Sequence, residues 1–188
     1  MPIFNVHTLE SAPEQSREVM GKVETQFGFL PNIYAVLSES PAVIKAYTSL
    51  SNLLGNTTFS RPEQQLMLLT ISAANGCEYC VAAHTVVGKR AKLDPAVIEA
   101  VRYGHSIEDA RLKALHRFTL LIVESRGNVS GAEIDTFMAA GFSKEQVLEV
   151  VLAASLKTLS NYINHFAETP LDDAFLEEAW EAPLANIA

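Results

Sequence analysis

Residues 60–91 read SRPEQQLMLLTISAANGCEYCVAAHTVVGKRA. Ser60 is followed three positions later by Glu63, the pattern in which a hydroxyl and a carboxylate satisfy the unpaired amides of a helix's first turn, and Pro62 suits a first helical position. The apolar stretch beyond it continues to Gly76, a residue able to close a last turn at positive φ. Cys77 then opens a second helix. Two consecutive helices joined at a glycine set the pattern for the whole chain.

Working outward, the same start signature occurs at Ser11/Glu14, Ser106/Asp109, Ser130/Glu133 and Ser143/Gln146, with Pro13, Pro41 and Pro95 near other starts. Gly28, Gly55, Gly104, Gly127 and Gly141 each follow a helical stretch. The spacing predicts helices at 12–27, 31–38, 41–54, 61–74, 77–91, 95–103, 107–126, 131–140, 144–167 and 172–180. No alternating run bounded by hairpin turns competes, since Thr119 to Val123 lies inside a longer helical pattern. The expected class is an all-α, single-domain helical bundle of about eight to ten helices spanning 1–188. Residues 1–55 would form an N-terminal helical arm or subdomain, and 56–188 the core that carries the cysteines.

Composition narrows the function classes. The 188 residues are 48% hydrophobic, enough to bury a core, and their formal net charge is −8. An acidic chain repels phosphate backbones and anionic lipid, so nucleic acid is not an expected partner. No stretch reaches the roughly 20 apolar residues of a membrane span, and the opening Met-Pro-Ile-Phe-Asn-Val-His lacks a basic signal-peptide region. The expected location is cytoplasmic, where two cysteines three positions apart point to chemistry rather than to a disulfide framework.

In a helix, Cys77, Cys80 and His84 fall within roughly a 60° arc. That places the imidazole one turn beyond Cys80, positioned to take its proton or stabilise its thiolate. An ordinary thiol, with a pKa near 8.5, is only about 3% ionised at pH 7, so reactivity requires such help. The helix N-terminus favours a thiolate at Cys77 and His84 favours one at Cys80; local physics does not choose between them. Zinc usually takes four ligands, and no second ligand pair with metal-site spacing accompanies the cysteines, since His105 and His116 stand eleven apart. A thioredoxin-like arrangement would need flanking strands that the sequence does not offer.

The stretches Gln64-Gln65-Leu66-Met67-Leu68-Leu69 and Ala74-Asn75-Gly76-Cys77-Glu78-Tyr79-Cys80-Val81-Ala82-Ala83-His84 resemble the alkylhydroperoxidase D core of the carboxymuconolactone decarboxylase-like superfamily. Looser similarity to its peroxidase-related branch extends through Gly28-Phe29-Leu30-Pro31-Asn32 and Asn161-Tyr162-Ile163-Asn164-His165. The resemblance implies an antioxidant thiol peroxidase or dithiol-disulfide oxidoreductase, with Cys80 attacking the hydroperoxide and Cys77 resolving the product. A neighbouring thiol is needed because a sulfenic acid must condense before further oxidation, and His84 is the side chain placed to supply a proton. The family's relay usually includes a glutamate twelve positions before the first cysteine. Here that position is Gln65, which can orient a partner but cannot exchange a proton. Glu63 and Glu78 are nearby acids, although Glu63 also belongs to the Ser60 cap.

The resemblance further implies no organic cofactor, an external lipoyl-type or other dithiol reductant, and a homo-oligomer, trimer or hexamer. The apolar run Val147 to Leu156 reads as core or subunit interface rather than substrate pocket, and the Asn161 to His165 segment as the polar end of a long helix. Two other readings are a lactone decarboxylase-like enzyme, against which the paired cysteines count, and a non-catalytic adaptor using the dithiol as a redox-sensitive latch.

Overall fold

Most of the helix starts that local chemistry specifies are where the chain folds into helices. A computed structural model describes residues 3–182, which form nine α-helices and one 3-10 helix, with no strand among them. In order they are α1 (Glu14–Phe27), α2 (Asn32–Leu37), α3 (Pro41–Gly55), α4 (Arg61–Ala74), α5 (Glu78–Arg90), α6 (Pro95–Tyr103), α7 (Ala110–Glu124), α8 (Gly131–Ala139) and α9 (Lys144–Ala167), followed by the 3-10 helix Asp173–Glu178. The all-α expectation holds, and no described helix is long and apolar enough to cross a membrane.

Capping boxes close at Ser60/Glu63, Ser130/Glu133 and Ser143/Gln146. The other two expected boxes do not form. α1 starts after Pro13, two residues past Ser11, and the Ser11 hydroxyl instead accepts from the Thr8 amide at 3.0 Å. Asp109 is itself the cap of α7, accepting from the Leu112 amide at 2.8 Å, so the helix begins three residues later than the sequence suggests. The last expected helix, 172–180, tightens into 3-10 geometry.

α4 is the centre of the bundle, packed against α3, α5, α6, α7 and α9. Its burial on several sides explains its sequence, because Leu66, Met67, Leu69, Thr70, Ile71 and Ser72 occupy more than one helical face and all are buried. α1 and α2 pack on α3, which in turn lies on α9. The N-terminal segment thus supplies one side of whatever space is left between α3, α5 and α9. The chain after α9 returns across α5, where Lys89 pairs with Glu178, and reaches α6, where Trp180 Nε1 donates to the Arg102 carbonyl at 3.0 Å.

Candidate active site

The turn from α4 into α5 fixes the two cysteines. Gly76 takes φ 65°, and the Cys77 amide donates to the Ser72 carbonyl at 2.9 Å, so Cys77 becomes the N-cap of α5 and Cys80 lies in its first turn. Both thiols are reduced and buried, at 1% and 3% exposure. Asn164 of α9 reaches both: its side-chain amide donates to Cys80 Sγ at 3.2 Å and to Cys77 Sγ at 3.7 Å.

His84 does lie on the face expected, but its two ring nitrogens are engaged elsewhere than on a sulfur. Nδ1 is 3.0 Å from Gln65 Oε1, and Nε2 is 3.0 Å from Lys157 Nζ. A carbonyl oxygen only accepts, so Nδ1 carries the hydrogen and donates to Gln65. Nε2 then has the lone pair that accepts from the Lys157 ammonium. The expected direct contact between His84 and Cys80 is therefore replaced by an indirect one through Lys157. Burial, and then the Lys157 charge, hold the imidazole well below its ordinary pKa and keep it neutral.

The two sulfurs are driven apart in acidity. Burial works against a charge on Cys80, yet the hydrogen bond from Cys77, the charge and hydrogen bond of Lys157 and the Asn164 amide outweigh it and hold Cys80 well below the ordinary thiol range. Cys77 goes the other way, kept protonated first by its hydrogen bond to Cys80, then by burial and the neighbouring charge. The helix N-terminus, which alone would favour Cys77, is outweighed by these closer groups.

The other expected relay members lie elsewhere. Glu63 accepts from the Ser60 amide at 2.9 Å and from Arg111 Nε at 3.0 Å, a cap and an ion pair. Glu78 is exposed, and its Oε1 accepts from the Ala182 amide at 3.2 Å. His165 is exposed, and the run Val147 to Leu156 divides: Val150 and Ala153 face the core, Leu148 and Val151 face outward, and Leu156 lines the site cavity, a role not expected for it. His116 bonds Thr70 Oγ1 at 2.9 Å and borders, with His105, a different recess. Among the described residues, no group of three or more His, Cys, Asp or Glu side chains is arranged to hold a metal ion.

Sequence reasoning missed Lys157, and it assigned Asn164 to a polar helix end. A signal was present: the buried stripe of α9 runs through Val150, Ala153, Lys157, Asn161 and Asn164, at spacings of three and four. A lysine in register with a buried stripe is a lysine that needs a partner.

A cavity of about 140 Å³ adjoins these groups. Cys80, His84, Lys157 and Gln65 line it, whereas Cys77 does not. Tyr79, between the cysteines in sequence, donates to Asp172 at 2.5 Å and accepts from the Ile33 amide at 3.2 Å, tying α2 and the C-terminal segment to the cavity's edge. Burial raises the Asp172 pKa above its usual value, against the hydrogen bonds from Tyr79 and the Asn32 amide.

Residues 41–110 match the carboxymuconolactone decarboxylase family. No curated protein sequence matches the chain. Among solved structures, a peroxidase-related protein with an alkylhydroperoxidase AhpD core from Ralstonia eutropha JMP134 superposes with a TM-score of 0.83 at 24% identity, covering 93% of this chain and 94% of that one. A peroxidase-related protein from Silicibacter sp. TM1040 gives 0.79 at 17% identity, covering 92% of both chains. A cysteine-to-alanine variant of the debrominase Bmp8, in complex with 2,3,4-tribromopyrrole, gives 0.73 at 18% identity, covering 95% of this chain and 97% of that one. The chain thus shares its fold along nearly its whole length with these solved structures, and its α3 to α6 region, which carries the cysteine pair at the start of α5, matches the carboxymuconolactone decarboxylase family.

Proposed function

We propose that this chain is a dithiol peroxidase in which Cys80 attacks a hydroperoxide and Cys77 resolves the product. The observation that carries this reading is the asymmetry of the pair: Cys80 alone lines the cavity, beside Lys157 and His84, while Cys77 lies behind it and shares the Asn164 amide. The Cys80 thiolate takes the terminal oxygen of ROOH, the O–O bond breaks, and the alkoxide leaves with a proton as ROH. The Lys157 ammonium is the donor placed for that proton, and the neutral imidazole hydrogen-bonded to it orients the ammonium. The sulfenic acid on Cys80 then condenses with the Cys77 thiol, giving an intramolecular disulfide and water. An external dithiol, of the lipoyl type or another small dithiol system, returns both sulfurs to thiols, and no organic cofactor takes part.

The test is steady-state consumption of an organic hydroperoxide with dihydrolipoamide as donor. Turnover in the wild type that vanishes in Cys80→Ser supports the reading. A wild type whose thiols stay titratable after peroxide treatment overturns it and leaves the redox-latch reading without support as well.

A second reading is favoured by the aromatic lining of the cavity at Cys80: removal of bromine from an electron-rich ring. The thiolate would take the halogen as a sulfenyl bromide while the ring carbon takes a proton. Attack by Cys77 would then form the disulfide and release bromide. Bromide release from a bromopyrrole, without hydroperoxide consumption, distinguishes this reading from the first.

A further inference from the structure

The cavity beside Cys80 has a chemical character of its own, apart from the reaction at the sulfur. Two aromatic groups line it. Phe27, Tyr34 and Tyr47 come from α1, α2 and α3, with Tyr34 centred 6.0 Å from Phe27 and 5.2 Å from Tyr47. Tyr79 of α5 and Phe175 of the 3-10 helix form an edge-to-face pair with centroids 6.1 Å apart at 87°. Four of the five rings are buried, and Phe27 is the partly exposed one.

Charge and size narrow the occupant. No carboxylate lines the space, and its one ammonium, Lys157, is already engaged by His84 and Cys80. A carboxylate ligand would compete with the Cys80 thiolate for the same cation, and a cationic ligand would meet Lys157 itself in a low-dielectric site. The cavity, about 140 Å³, is close to the size (roughly 150 Å³) at which a dry apolar cavity binds benzene. Rings around such a space favour another ring, through edge-to-face contacts that an aliphatic group of the same size does not make.

We infer that this cavity is a binding site for a compact, neutral, single-ring aromatic molecule, held so that its substituent meets Cys80. Five aromatic side chains, from α1, α2, α3, α5 and the 3-10 helix, select the ring, and the absence of a free lining charge selects neutrality. What is done to the substituent rests on the proposed thiol chemistry; the binding itself does not.

The experiment is calorimetric titration of the reduced full-length protein with three probes of similar size: benzyl alcohol, cyclohexylmethanol and benzoate. Benzyl alcohol is expected to bind about threefold or more tightly than cyclohexylmethanol and at least about tenfold more tightly than benzoate. Ala83→Leu, which adds three carbons at a position lining the cavity, is expected to weaken benzyl alcohol about tenfold or more while thermal unfolding stays cooperative. Should that variant not fold, Phe27→Leu at the partly exposed ring gives the second reading, with the preference for benzyl alcohol over cyclohexylmethanol reduced. Equal affinities for the aromatic and aliphatic alcohols, tighter binding of benzoate, or no binding of any probe overturns the inference. Selective ring binding without hydroperoxide consumption supports the site and removes the peroxidase reading. Hydroperoxide consumption without ring binding does the reverse.

Discussion

Lys157 Nζ stands 3.0 Å from His84 Nε2, on an imidazole whose other nitrogen is held 3.0 Å from Gln65 Oε1. The order of donors therefore runs one way, from ammonium to imidazole to amide, and the positive charge of the site belongs to the lysine.

Lys157→Met should raise the Cys80 thiol toward its ordinary range. In the wild type that thiol is depressed, so its ionisation supports the folded state above the ordinary thiol range, and this contribution is lost as pH falls through the lowered value. Thiolate absorbance near 240 nm should accordingly appear at higher pH in the variant. Hydroperoxide consumption at pH 6.5 should fall about tenfold or more, since both the thiolate and the nearby proton donor are lost. An unbranched apolar side chain in place of a buried cation is tolerated by the fold. Absorbance titrations that superimpose would remove Lys157 from the site.

On the proposed mechanism, Cys77→Ser should consume about two equivalents of hydroperoxide and then stop. With no Cys77 thiol to condense with, the Cys80 sulfenic acid formed by the first equivalent is carried to sulfinic acid by the second, which mass spectrometry reads as two added oxygens on the peptide containing Cys80. A Cys77→Ser variant that turns over repeatedly with dihydrolipoamide would show that the donor, rather than Cys77, resolves Cys80.

Gln65→Glu should raise the pKa of His84. The new carboxylate accepts the same hydrogen from Nδ1 and adds a negative charge beside the ring, favouring imidazolium, at the expense of the Nε2 contact with Lys157. NMR of the imidazole protons through pH 5–8 should show titration at higher pH than in the wild type. Coincident curves would mean that residue 65 does not govern the ring.

Tyr79→Phe should lower the unfolding free energy by about 1–3 kcal/mol, because the phenol joins Asp172 and the Ile33 amide in a buried place. The carboxyl itself has the opposite pH sign from Cys80. Its pKa is raised by burial, so its contribution is full at low pH and declines as pH rises through the raised value. The wild type should thus gain stability relative to Asp172→Asn as pH is lowered from 7 toward 4, read from denaturant midpoints. A constant difference across that range would contradict it.

What was legible in the sequence was local. The Ser143/Gln146 box and the turn at Gly76 involve residues within a few positions of one another, and there sequence pattern and structure agree. Ser106/Asp109 shows the limit even of local reading: either residue has the chemistry of a cap, and the chain uses the second. The cysteine pair and His84 were legible as one helical face. Their environment was not, because it comes from α9, with Lys157 lying 73 positions from His84 and Asn164 lying 84 from Cys80. Without those two side chains, His84 was the only local group able to ionise Cys80, and the sequence pattern accordingly gave it a charge that burial denies it. The aromatic lining was equally out of reach, since Phe27 and Phe175 lie near opposite ends of the chain.

The burial of Lys157, at 1% exposure, bears on the direction in which this pair prefers to trade electrons. Reduced, the site holds an ammonium opposite a thiolate; oxidised to the disulfide, it keeps the ammonium and loses the anion. A buried cation without a counter-charge is costly, so the cost falls on the oxidised form and the dithiol is the favoured resting state. The same lysine that helps hold the Cys80 thiol below its ordinary range thereby makes a Cys77–Cys80 disulfide a stronger oxidant than its neighbours in sequence alone would make it. A redox titration should read this as a more negative midpoint potential in Lys157→Met than in the wild type.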